Sequence, residues 1–233
     1  MLKISHAAGH ARITPGKQSP DGFKEWQFTS EIVKLVMMEL ENYEGVSQKR
    51  IDDPTGESDF PLNKRCELIN TWGANVHIDY HLNAYGSGWN NAGGTETYIY
   101  TTRPKEAAEL AEKIQDNLVR ELGFKNRGVK AANFQILRET NMTAIIIEFA
   151  FMTNHDEAMK MRTSEYQKIA AKAVVAGLVA QYGLNKKPVE DPSSNELYRV
   201  QVGAFTDINN AKGLVEELEA KGYSAIVIKS SHN

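Results

Sequence analysis

Glu148 interrupts the run AIIIEFAFM at residues 144–152, and a carboxylate in that setting is the sharpest chemical signal in the chain. Ionised carboxylates are almost never buried unpaired, and perturbed ones concentrate at functional sites. Glu148 therefore reads as a functional residue, with a structural ion pair or an early strand end as the alternative. His10 follows Gly9 in the AAGHA segment, and His81 closes NVHIDYH. Both would lie beyond the carboxyl ends of strands, where open α/β sheets bind their ligands. The single cysteine, Cys66, allows no internal disulfide and no cysteine-rich zinc site, so a metal would have to be held by His, Asp or Glu. Two histidines at strand ends with a free carboxylate point to a zinc site of the His/His/Glu kind. Glu25, at the start of the first long helix, can complete that set; otherwise it is a first-turn acid favoured by the helix dipole. His6, His77 and His155 compete for the same role. His6 and His77 fall in strands, where alternation can turn them away from a site, and His232 lies in the tail.

These residues need elements to hold them. LKIS makes a short opening strand. Ile32, Val33, Val36, Leu40 and Tyr43 fall on one face of a helix between Trp26 and Tyr43. VSQKRI reads as a strand, and Leu62, Cys66, Ile69 and Trp72 form the next helical stripe. NVHIDYH and TETYIY alternate with period two. Pro104 opens a helix carrying Ala107, Leu110, Ile114, Leu118 and Leu122, ended by Gly123. The segment around Glu148 is apolar on both faces, as a central covered strand should be. Ser164 with Gln167 predicts a capping box for a helix running through Ile169, Ala173, Val174, Leu178 and Tyr182 to Gly183. The alternation predicts an α/β fold, a twisted and mostly parallel sheet flanked by helices on both faces. NKKPVEDPSSNE, residues 185–196, reads as a linker. Beyond it YRVQVGAF alternates, Asp207 can cap a helix with Ala211, Leu214 and Leu218, and YSAIVIK forms a second strand. Such a small C-terminal β-α-β unit buries its own sheet poorly.

Lys+Arg at 27 against Asp+Glu at 30 gives a net charge of −3, which argues against a protein that coats nucleic acid. A hydrophobic fraction of 41% with 24% charged residues excludes wholesale disorder. MLKISHAAGH lacks a charged region followed by a long apolar one. The 144–152 run is too short to span a bilayer. The expectation is a protein made in the cytoplasm without a signal peptide and with no membrane partner.

Four segments in order carry a resemblance: His10 in AAGHA, Glu25 in GFKEW, His81 in YHLNA, and Glu148 in IEFAFMTN. Together they resemble the zinc-dependent N-acetylmuramoyl-L-alanine amidases, the amidase_3 family, over essentially all of residues 1–184. GGTETYIY and NFQILRET fall in the order usual for that family. The resemblance implies that His10, Glu25 and His81 hold Zn²⁺ with one position open to water. It implies that Glu148 is the general acid/base, deprotonating that water and then protonating the leaving amine. Asn83 and Arg138 read either as substrate contacts or as strand-end and surface residues. The segment before the first histidine departs from the family's usual D-P-G-H-G: here it is Ala7-Ala8-Gly9-His10-Ala11, which removes an aspartate that would orient its neighbours. Extra length between Arg50 and Arg65, DDPTGESDFP, predicts a loop near the site.

The tail, residues 197–233, resembles one repeat of the SPOR-type cell-wall module, whose complete form has two β-α-β repeats. The implied partner is peptidoglycan, and an exposed strand edge invites completion by a second copy, giving a homodimer. The implied activity is hydrolysis of the amide between N-acetylmuramic acid and L-alanine, leading to wall lysis by an endolysin or autolysin. The enzyme would reach the wall through holin pores or on mother-cell lysis. The alternatives are a zinc peptidase acting on the stem peptide and a catalytically inactive wall-binding protein.

Overall fold

A computed structural model describes residues 1–188 and 200–229. The chain forms two compact units, Met1–Lys187 and Pro188–Asn233. In the first unit six strands form one sheet in the order β2-β1-β3-β6-β4-β5. They are β1 (Leu2–Ala8), β2 (Val46–Arg50), β3 (Val76–Asn83), β4 (Thr95–Tyr100), β5 (Asn126–Ala132) and β6 (Thr143–Phe151). Every pairing is parallel except β4 with β6. The expected α/β architecture is present, with β6 near the middle.

Helices cover the two faces unequally. On one face lie α1 (Glu25–Leu40), α3 (Lys105–Leu122) and α6 (Ser164–Tyr182), which bury the larger core. Phe28, Ile78, Tyr80, Ile99, Ile114, Ile147 and Phe149 are fully enclosed there. Truncating Phe149 to Ala should cost about 3–5 kcal/mol. α6 approaches α3 so closely that a Cβ on Gly177 would stand 2.4 Å from Ile114 Cγ1. The other face carries α2 (Leu62–Trp72) and the single turn α4 (Gln135–Arg138), over a small cluster with Ala7, Cys66, Ile69, Ile136 and Ile146. α5 (His155–Met161) follows β6.

Strand alternation then decides which residues meet. On β3, Ile78, Tyr80 and Leu82 enter the large core, so His77, Asp79 and His81 face the side of α2 and α4. On β6, Ile145, Ile147 and Phe149 enter the large core and Ile146 the small one, which puts Glu148 on the thinly covered face. On β4, Ile99 takes the first side and Tyr98 the second, which carries Glu96 to the same face as Glu148.

Three local expectations change. The α6 cap is Thr163, whose side chain accepts from Tyr166 N, while Gln167 turns to Met161 O. The threonine one residue earlier offers the same acceptor as Ser164, so a box at Ser164–Gln167 does not form. Residues 185–187, expected in the linker, bond back to 42–44 through Glu44 N to Asn185 O and Lys187 N to Asn42 O. Linker residues 189–196 lie outside the described residues, as do Tyr198, Arg199 and His232. In the second unit α7 (Ile208–Ala220) forms with Asp207 as its cap, but 200–205 and 223–229 are not in strands. No residue of α7 is buried, so among the described residues no core backs a sheet there, the difficulty expected of so small a unit.

Candidate active site

His10, Glu25 and His81 come from three different elements. His10 sits just past β1, Glu25 is the first residue of α1, and His81 is near the carboxyl end of β3. Their ligand atoms lie within 4.8 Å of one another. Glu25 Oε1 is 3.0 Å from His81 Nδ1 and accepts from Leu82 N at 3.1 Å; Oε2 is 3.7 Å from His10 Nε2. The two imidazoles meet edge to face at 5.3 Å. Two imidazoles and a buried carboxylate are a donor set that could hold a metal ion.

The turn at His10 is built for this approach. A Cβ on Gly9 would stand 2.5 Å from His81 Nδ1, so only glycine lets the two segments meet. His10 itself has φ 61°, a left-handed backbone that a non-glycine residue adopts at a cost. Arg65 of α2 holds the turn in place, donating to Ala8 O at 2.9 Å and His10 O at 3.5 Å. The same guanidinium reaches Phe60 O and Asp59 Oδ1, tying the loop between Arg50 and Arg65 to the site. Asp59, Phe60 and Pro61 line a cleft of about 320 Å³ with His10, Asp79 and His81.

Glu148 stands beside His81 in the β3–β6 register and opposite Glu96 in the β4–β6 register. Its Oε2 is enclosed and has no hydrogen-bond partner among the described residues. Burial pushes its carboxyl up to about 8, against the pull of His81 and with help from Glu25 and Glu96. Glu96 is treated differently. Its Oε1 accepts from Asn83 Nδ2 and Tyr98 OH, both at 2.7 Å, and its Oε2 from Arg127 Nε and Lys130 Nζ. Burial opposes ionisation of Glu96, but Lys130, Arg127 and Tyr98 outweigh it and hold its carboxyl below the usual range. In the ligand cluster, burial works to lower both histidines. At His81 the hydrogen bond and charge of Glu25 win, raising it to about 9. At His10 burial wins, leaving it at about 4.

A family described as N-acetylmuramoyl-L-alanine amidase matches residues 6–180, and the SPOR domain matches residues 167–232. A sporulation-specific N-acetylmuramoyl-L-alanine amidase of Bacillus subtilis (strain 168) is 33% identical over 229 residues, covering 98% of this chain and 85% of its own length. The endolysin of Bacillus phage SPP1 is 29% identical over 187 residues, covering 77% of this chain and 66% of its own. The crystal structure of an N-acetylmuramoyl-L-alanine amidase from Clostridium difficile 630 aligns with a TM-score of 0.72. That pair shares 29% identity over 77% of this chain and 95% of that one. The chain belongs to the N-acetylmuramoyl-L-alanine amidase family. It is an enzyme, and it carries a SPOR domain whose match begins inside α6, well before residue 197.

Asn83, read from sequence as a substrate contact or a strand-end residue, spends its amide on Glu96. Arg138 of the enzyme is bonded to Asn133 and Glu139, and no contact brings it to the cluster. His6 turns to the large core and bonds Tyr80 OH. His77 shares the face of His81 but is enclosed against Ser5. His155 starts α5 and packs edge-on against Trp89. Sequence reasoning passed over Arg65, Glu96 and Asp79. For Glu96 and Asp79 a signal existed, since each is an acid within a strand pattern that also carries buried residues; Arg65 on an ordinary helix gave none.

Proposed function

We propose that the enzyme hydrolyses the amide between N-acetylmuramic acid and L-alanine in peptidoglycan with a zinc ion held by His10, Glu25 and His81. A bound Zn²⁺ there supplies Lewis acidity toward the scissile carbonyl and a water acidified to near neutral pH. Glu148 takes the proton from the attacking water and returns it to the departing L-alanyl amine. In the metal-free site burial raises this carboxyl to about 8; a cation bound beside it would draw it down toward the neutral range in which a two-way transfer works. The observation that carries this reading is the bare, enclosed Oε2 of Glu148 next to three converging donors. Gly9 and Arg65 set the position of His10, and the loop through Asp59 and Phe60 walls the cleft on one side.

The C-terminal unit supplies affinity for the wall, and the place of action is the cell wall after release of the enzyme, with lysis as the result. Among the described residues no helix is long and apolar enough to cross a membrane. Val200, Val202, Ile226 and Ile228 are exposed around α7; pairing these segments with a second copy would cover them and complete the module. Sedimentation velocity should then show a concentration-dependent dimer in the full chain but not in residues 1–187. A monomer at all micromolar concentrations with wall binding intact refutes the pairing.

The activity is tested by mass spectrometry of digests of purified Gram-positive walls. Stem peptides with a new L-alanine amino terminus, lost on chelation and restored by zinc, are expected. Cuts confined to the interior of the stem would replace the amidase reading with a peptidase.

A further inference from the structure

Glu96 gathers more positive charge than it can neutralise. A carboxylate offers about four acceptor positions, and Asn83, Tyr98, Arg127 and Lys130 fill all four. Two cations share this one carboxylate; Glu157, whose carboxyl burial raises, is the other acid near Arg127, so the pair carries more positive charge than Glu96 alone offsets. The carboxylate is enclosed, with 2% of its side chain exposed, whereas Arg127 keeps 29% and Lys130 37%. Arg127 spends Nε on Glu96 and Nη1 on Gly93 O. Its Nη2 has no hydrogen-bond partner among the described residues, and an ammonium carries three protons, of which Lys130 commits one to Glu96. Lys130 leaves the sheet on the side of Tyr98 and Glu148, the Arg127 guanidinium lies over the Phe151 ring at 4.8 Å, and both side chains are partly exposed.

Position gives this surplus a use. Glu96 and Glu148 are cross-strand partners, which places their Cβ atoms about 5 Å apart on one face. Lys130 lies one strand further out, paired with Tyr98. Its ammonium reaches back to bond Glu96, whose Cβ is about 5 Å from that of Glu148, and this puts its free donors within roughly 10 Å of a carbonyl served by Glu148. One peptide residue spans about 3.5 Å, so a carboxylate on the residue after L-alanine falls within reach. In the stem that residue is a glutamate joined through its side chain, with its α-carboxylate either free or amidated. We propose that Arg127 and Lys130, held by Glu96, form a subsite for this free α-carboxylate of the leaving stem peptide. The proposal rests on the amidase reading and adds a preference within it: unamidated stems are the better substrates.

The test compares N-acetylmuramoyl-L-alanyl-D-glutamate with its D-isoglutamine counterpart, using zinc-loaded full-length enzyme. A charge-assisted contact predicts about a tenfold higher kcat/KM for the free acid, carried mainly in KM. In Lys130→Gln and Arg127→Gln the ratio should fall toward one. Lys130→Arg should retain it, and melting temperatures report whether each variant is folded. A tripeptide substrate with the second residue amidated and a carboxylate at the third separates the two sources of charge. Preference for that substrate overturns the assignment to the second residue. Equal kcat/KM for the two dipeptide substrates in the wild type, or a ratio unmoved in both glutamine variants, overturns the subsite while leaving the amidase reading intact. Failure to cut the muramoyl–alanine bond in any substrate overturns both.

Discussion

Across the β4–β6 pair two carboxylates face each other under opposite conditions. Glu96 has every acceptor position filled by a neighbouring side chain, and Glu148, one strand away, leaves an enclosed Oε2 bare. Both sit on the face that, among the described elements of the first unit, α2 and α4 cover. The filled carboxylate is spent on structure: it organises Asn83, Tyr98, Arg127 and Lys130. The bare one carries an unrelieved desolvation cost, which a fold keeps where the group is needed for chemistry. The comparison shows why a buried acid alone does not identify a site; what its oxygens touch decides.

The contrast can be pressed experimentally. Glu25→Ala removes the carboxylate shared by both imidazoles. Zinc affinity measured by competition with a chelating dye should fall by more than the roughly 100-fold typical of losing a supporting group. Arg65→Ala frees the turn carrying His10 without touching a ligand, so the expected loss is about 10–100-fold in the same assay, smaller for Arg65→Lys. Unchanged affinity in Arg65→Ala would mean that Gly9 and α1 hold His10 unaided. Glu96→Gln should cost about 2 kcal/mol of stability in urea titration, because two cations lose their charged partner while staying partly hydrated.

The pH dependence sharpens the same point with the opposite sign. Glu148 titrates near 8 in the folded chain, above the usual range for an unfolded glutamate. Its contribution to stability is therefore full below about pH 4.5 and lost as pH rises through about 8. Metal-free Glu148→Gln should melt close to the wild type at pH 5 and above it at pH 9, by differential scanning calorimetry. A constant difference across that range would show that burial does not oppose the charge on Glu148.

Much of this was legible in the residues. Period-two alternation in NVHIDYH and TETYIY and the doubly apolar run around Glu148 fixed three adjacent strands, since burial on a sheet enforces that pattern. The helix with Ala107, Leu110, Ile114, Leu118 and Leu122 formed as its spacing demanded, and all five are buried. What spacing could not convey was convergence. Gly9 matters because of His81, which is 72 positions away, and Arg65 through the carbonyls of Ala8 and His10. Such long-range contacts leave no local period. The C-terminal strands failed for a related reason: alternation in VQVGAF and YSAIVIK states a preference for a sheet, but a strand also needs a partner.

Glu148→Gln tests the central claim most directly, with turnover of a muramoyl-L-alanine substrate and zinc content measured on the same preparation. Turnover should drop about 10²–10⁴-fold while zinc stays near one per chain. Retained turnover would remove Glu148 from the proton transfer, and loss of zinc together with turnover would make Glu148 a metal ligand instead.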